Sequence, residues 1–132
     1  MFKKVLFPID QNRETRDAVA VVSNVVKTYD SKLFLLSVVK KSAKDDSVMS
    51  NEENVAKLLD SAKELFAQEN IIAEIIEREG MPSFTICDVA DEVEANLIIM
   101  GCRGLGLTHE GAEESVTNRV INLAPCPVLV VP

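Results

Sequence analysis

Short apolar runs alternate along the chain with stretches whose apolar residues fall three and four positions apart. Lys4 to Ile9 predicts a first strand, with Asp10 at its carboxyl end. Glu14 to Tyr29 predicts a helix, because Ala18, Val22, Val25 and Tyr29 share one face at helical spacing. Leu33 to Val39 is almost continuously apolar, the pattern of a strand buried on both faces. Lys40 to Met49 is polar and charged and reads as a loop. Ser50 opens the next helix, forming a capping box with Glu53, and Val55, Leu58, Leu59, Ala62, Leu65 and Phe66 make its apolar stripe. Ile71 to Ile76 predicts a third strand closed by Gly80. Pro82 suits the first turn of a third helix, which carries Ile86, Val89, Ala90 and Val93 on one face. Leu97 to Met100 predicts the fourth strand, and Ser115 to Ala124 the fourth helix, with Val116, Val120 and Leu123 inward. Pro125-Cys126-Pro127 ends that helix, and Val128 to Val131 is a fifth strand.

Strands that alternate with helices imply a parallel sheet, because parallel neighbours need crossover connections. Right-handed crossovers make this a single doubly wound α/β domain over residues 1–132. The last strand has no helix after it. A bare, apolar edge of this kind is commonly covered by a partner, which favours a homodimer through the C-terminal edge strand.

The net charge of −7 disfavours nucleic acid as a main partner, since an acidic surface gains nothing from counterion release. No apolar run approaches the ~20 residues of a membrane-spanning helix. Met1-Phe2-Lys3-Lys4 leads into a stretch broken by Pro8 and Asp10, which reads as a first strand and not a signal peptide. Three widely spaced cysteines, Cys87, Cys102 and Cys126, indicate a reducing compartment and argue against a disulfide framework. A cytoplasmic location follows as an expectation.

Ligands of open α/β sheets bind beyond the carboxyl ends of the strands, where the strand order reverses. Two features fall at such ends: Asp10 after the first strand and Gly101-Cys102-Arg103-Gly104 after the fourth. An Asp there can accept from ribose hydroxyls or hold a divalent metal through water, or it can simply begin a turn. A glycine loop ahead of a helix N-terminus is suited to phosphate, because the backbone can approach the anion and the first-turn N–H groups point at it. His109 reads as a solvated loop residue. Pairing it with Cys102 as a nucleophile, or with Cys102 and Cys126 as a zinc site, lacks an orienting group and a ligand-like spacing.

Over its whole length the chain resembles the universal stress proteins. The likeness rests on Val5-Leu6-Phe7-Pro8-Ile9-Asp10, Gly80-Met81-Pro82, the run Leu97 to Gly106, and the closing Ser115-Val116-Thr117-Asn118-Arg119-Val120 and Ala124 to Val131. The resemblance implies a five-stranded parallel sheet in the order 3-2-1-4-5, with two helices on each face, of the adenine-nucleotide alpha-hydrolase-like type. In the ATP-binding branch the signature is Gly, two residues, Gly, nine residues, Gly, then Ser or Thr. Gly101, Gly104 and Ser115 match it; the third glycine is replaced by Glu114. By resemblance, Asp10 would touch the ribose or a metal and the backbone of Val38 the adenine. Gly101 and Gly104 would lie along ribose and phosphates, Ser115 and the Val116 amide would hold phosphate oxygens, and Arg103 is a further phosphate partner.

Glu114 opposes that binding in two ways. A side chain where the backbone needs positive φ is strained by roughly 1 kcal/mol. Each unit-charge pair at ~8 Å in water adds ~0.5 kcal/mol of repulsion. Together these come to ~1–3 kcal/mol, about ten- to hundred-fold in affinity. The expectation is therefore a homodimer that binds ATP, ADP or AMP, with Mg2+, weakly and without catalysis, in a stress-response or signalling role. The alternative is a dimer that binds no nucleotide and acts through protein partners. A slow nucleotide hydrolase ranks last, because beyond Asp10 no group stands out as a base.

Overall fold

The computed structural model describes the backbone of residues 1–9, 15–39, 47–101 and 110–132 and the side chains of 1–9, 18–39, 56–101 and 116–132. In chain order the elements are β1 (Lys4–Pro8), α1 (Thr15–Tyr29), β2 (Lys32–Val39), α2 (Ser47–Gln68), β3 (Ala73–Glu79), α3 (Pro82–Glu92), β4 (Leu97–Gly101), α4 (Glu110–Leu123) and β5 (Val128–Val131). The strands form one parallel sheet in the order β3-β2-β1-β4-β5.

Side chains alternate across each strand, so one strand supplies both cores. Val5, Phe7, Leu33, Leu35, Leu97 and Ile99 face Ala18, Val22 and Val26 of α1 and Leu59, Ala62 and Phe66 of α2. Leu6, Phe34, Leu36, Ile98 and Met100 face Ile86, Val89 and Ala90 of α3 and Val120 of α4. Two helices therefore cover each face. β1, β2 and β4 are apolar almost throughout because both of their faces are covered. At ~25 cal/mol per Å2, burying each Leu or Ile is worth about 2 kcal/mol.

At the amino end of the sheet three helix-to-strand turns share one device. Asp30, Asn70 and Glu94 adopt φ of 51°, 61° and 56°. The following amides of Ser31, Ile71 and Ala95 donate back to the carbonyls of Val26, Phe66 and Ala90 at 3.0, 2.9 and 2.8 Å. This closes the helix ends in the manner of a Schellman motif.

Three elements differ from the sequence pattern by more than a residue. α2 begins at Ser47 rather than Ser50, inside the stretch expected to be loop. β3 runs from Ala73 to Glu79 rather than Ile71 to Ile76. Its last residues are polar, yet they pair with β2 through the backbone as far as Val39↔Glu79. An edge strand needs apolar side chains only where it is covered, so hydrophobicity understated its length. The third difference, the start of α4 at Glu110 rather than Ser115, bears on function.

Candidate functional site at the carboxyl end of the sheet

The chain runs from β1 outward through β2 to β3, then returns to place β4 on the other side of β1 and β5 beyond it. The order reverses between β1 and β4, which pair as Val5↔Leu97 and Leu6↔Ile98. The crevice of a doubly wound fold therefore opens above the carboxyl ends of these two strands, in keeping with the strand order that the resemblance implied. Asp10, Arg103 and Gly104 lie outside the described residues, as do Cys102 and His109.

Gly101 is the last residue of β4. It is buried and in register with Val131 of β5. β4, which ends here, lies between β1 and β5, at the switch point.

Val38 is placed by the hydrogen-bond alternation of β2. The Ile9 amide donates to the Leu36 carbonyl at 2.8 Å, so the polar groups of Leu36 face β1. The Gly80 amide donates to the Val39 carbonyl at 2.9 Å, so those of Val39 face β3. A parallel strand alternates its bonding side residue by residue, so the N–H and C=O of Val38 face the β1 side. β1 itself stops at Pro8, whose register partner is Leu36. The donor and acceptor of Val38 are thus directed over the end of β1, into the crevice. Its side chain turns the other way and packs against the α3/α4 core.

Gly80 is tied to the carboxyl end of β2 by its bond to the Val39 carbonyl and leads through Met81 into α3. Gly80 has φ of 152°, and a Cβ there would lie 2.6 Å from Thr85 Oγ1, so the turn into α3 is built for glycine. The Thr85 amide donates to the Met81 carbonyl at 2.9 Å, and Pro82 starts the helix. The triplet Gly80-Met81-Pro82 was the available signal.

Ser115 and Val116 lie in the second turn of α4, because the helix starts at Glu110. The amides that a helix leaves without an internal partner belong to its first turn, residues 110–113. Two reasons account for the extension. Glu is roughly 1 kcal/mol better than Gly inside a helix, so position 114 no longer stops it. The sequence also places Glu110, Glu113 and Glu114 near the positive end of the helix dipole, where acidic residues are favourable. Val116 is half-buried against the α3/α4 core, and Thr117 beside it is buried.

Cys87 and Cys126 are both half-buried against the α3/α4 core. Among the described residues no helix is long and apolar enough to cross a membrane.

A five-stranded doubly wound sheet with its crevice between β1 and β4 defines a class of α/β ligand-binding domains. Within that class the chain belongs to the universal stress protein family, whose profile matches residues 1–132. It is 61% identical over 136 residues to universal stress protein Sll1654 of Synechocystis sp., covering 100% of this chain and 87% of that one. UspA of Lactobacillus plantarum superposes with a TM-score of 0.83 at 25% identity, over 99% of this chain and 98% of that one. A universal stress protein solved in complex with cAMP superposes with a TM-score of 0.80 at 19% identity, over 99% and 97% of the two chains.

Proposed function

We propose that this protein is a non-catalytic adenine-nucleotide-binding module of the cytoplasm, acting as a homodimer in a stress-response or signalling role. The observation that carries the reading is the direction of the Val38 N–H and C=O over the end of β1. Adenine offers an acceptor at N1 beside a donor at N6, and an adjacent backbone donor and acceptor match that pair. The ribose and phosphates would extend toward Asp10, Gly101 and the loop of Arg103 and Gly104, with Mg2+ accepted where more than one phosphate is present. The relative solved with cAMP supports the ligand class.

The early start of α4 sets the strength of binding. A phosphate held by Ser115 and the Val116 amide requires the first turn of α4 to open, and three glutamates in residues 110–114 repel it. Binding is therefore weak, and weaker for ATP than for AMP. Calorimetric titration of wild type and Glu114→Gly with AMP and ATP, with and without magnesium, tests this. The expected outcome is measurable AMP binding by wild type and an ATP affinity about ten- to hundred-fold higher in Glu114→Gly. If neither protein binds either nucleotide, the reading fails.

The same helical turn favours a second reading, in which the crevice stays closed and the dimer works through protein partners. Binding by Glu114→Gly alone would select it. Neither reading includes turnover: phosphate release from ATP should not exceed that of Asp10→Ala.

A further inference from the structure

The turn from α2 into β3, at the amino end of the sheet, holds a cleft of about 340 Å3 lined by Lys63, Ala67, Asn70, Ile71, Ile72 and Ala73. Two of these residues, Ile71 and Ala73, are buried in the core that faces α1 and α2. The backbone around the cleft is fixed. The amides of Asn70 and Ile71 donate to the carbonyls of Ala67 and Phe66 at 3.0 and 2.9 Å, and Ala73 pairs with Leu33 of β2. The cleft is therefore formed before any ligand arrives, as small-molecule sites usually are. Lys63 and Ala67 lie one turn apart on the same side of α2. The short side chains of Ala67 and Ala73 leave the room, and Ile72, 91% exposed, adds an apolar side chain that the fold leaves uncovered.

The polar groups of the cleft are Lys63 and Asn70. Among the described residues neither side chain has a hydrogen bond or an ion pair. The carboxylates on either side of the turn are already taken: Glu69 is held by Lys27 at 2.7 Å and Glu74 by Lys32 at 3.3 Å. The ammonium of Lys63 is thus the charge that the cleft presents.

We propose that this cleft binds a small carboxylate with an apolar body, an alkyl or aryl acid of roughly ten non-hydrogen atoms at a water-sized ~30 Å3 each. The apolar body lies against Ala67, Ile71, Ile72 and Ala73, with the methylene stem of Lys63 adding to that surface. The carboxylate accepts from the Lys63 ammonium and from the Asn70 side-chain amide. A cationic ligand would meet the unpaired ammonium, and a neutral one would leave it unused. The site lies at the opposite end of the sheet from the nucleotide crevice and uses none of its residues, so it stands or falls independently of nucleotide binding.

Titration of the 15N-labelled protein with octanoate, followed through its amide chemical shifts, provides the test. The expected result is saturable shifts centred on Lys63, Ala67 and residues 70–73, with a dissociation constant of about a millimolar or tighter. Octan-1-ol keeps the chain but lacks the charge, and should bind about tenfold more weakly. Lys63→Gln should lower the affinity for octanoate by a similar factor, about tenfold. Ala67→Leu, at an exposed helix position that accepts leucine, should fill the cleft and remove the shifts. Absence of saturable shifts at these amides, equal binding of octan-1-ol, or unchanged affinity in either variant overturns the proposal. So does a saturable response centred on the apolar edge of β5 instead.

Discussion

The two edges of the sheet solve the problem of unpaired backbone in opposite ways. β3 carries Glu74, Glu77, Arg78 and Glu79. Lys32 bridges to Glu74 at 3.3 Å and Glu92 to Arg78 at 3.2 Å. Charge along an edge repels a second strand, and these exposed ion pairs hold the charges in place without adding much stability. β5 carries Val128-Leu129-Val130-Val131, with no charge at all. Leu129 is 38% exposed, and Ile121 and Leu123 of α4 are each 49% exposed. β3 sets its exposed Ile75 among charges, whereas β5 carries apolar side chains alone and is the edge through which the proposed homodimer would pair. The difference teaches that the edge of the proposed homodimer is marked less by what β5 contains than by the charges that β3 has and β5 lacks.

The strongest way to break the comparison is a charge on β5. Leu129→Glu should weaken self-association roughly hundred-fold or more, since the carboxylate would be buried on both copies of a paired edge. Sedimentation velocity over a micromolar concentration series reads this; an unchanged species distribution would remove β5 from the interface. Next in size is the end of the β3 edge. Gly80→Ala should cost about 2 kcal/mol in urea unfolding, because its backbone conformation is close to glycine-only and the new Cβ meets Thr85. A cost below about 0.5 kcal/mol would mean that the turn relaxes freely.

Removing the guard charges sharpens the comparison further. Glu74→Val combined with Glu77→Val should change unfolding free energy by less than about 1 kcal/mol, since both positions are exposed. It should nevertheless raise light scattering on heating, as β3 becomes a second adhesive edge. Unaltered scattering would show that the charges are not what keeps β3 single. The smallest effect belongs to Arg78→Ala, which breaks the Glu92 pair between residues 46% and 56% exposed. Its expected cost is within about 0.5 kcal/mol.

Much of the fold was legible in the sequence. The strand cores Val5-Leu6-Phe7, Leu33 to Leu36 and Leu97 to Met100 are unbroken apolar runs, and such runs need cover on both faces. The helix stripes of Leu59, Ala62 and Phe66 and of Ile86, Val89 and Ala90 lie inward as their spacing required. The polar half of β3 was not legible, because its stability comes from a ladder with β2 that leaves no mark on side-chain hydrophobicity. The start of α4 was obscured by a family signature that sets a glycine just before Ser115, although Glu114 itself carried the helix-extending signal.

The candidate site divides along the same line. The order of residues by itself determined the glycine loop after β4, the acidic replacement at position 114 and the succession of strands and helices. Each of these depends on side-chain chemistry or on periodicities within a few residues. Only the tertiary structure decided that the donor and acceptor of Val38 look over the end of β1. That direction is set by bonds from Ile9 and Gly80, the residues just after β1 and β3, which reach Leu36 and Val39 from opposite sides of β2. It likewise decided that Cys87 and Cys126 share one core, because a contact between distant segments is fixed by packing and not by spacing.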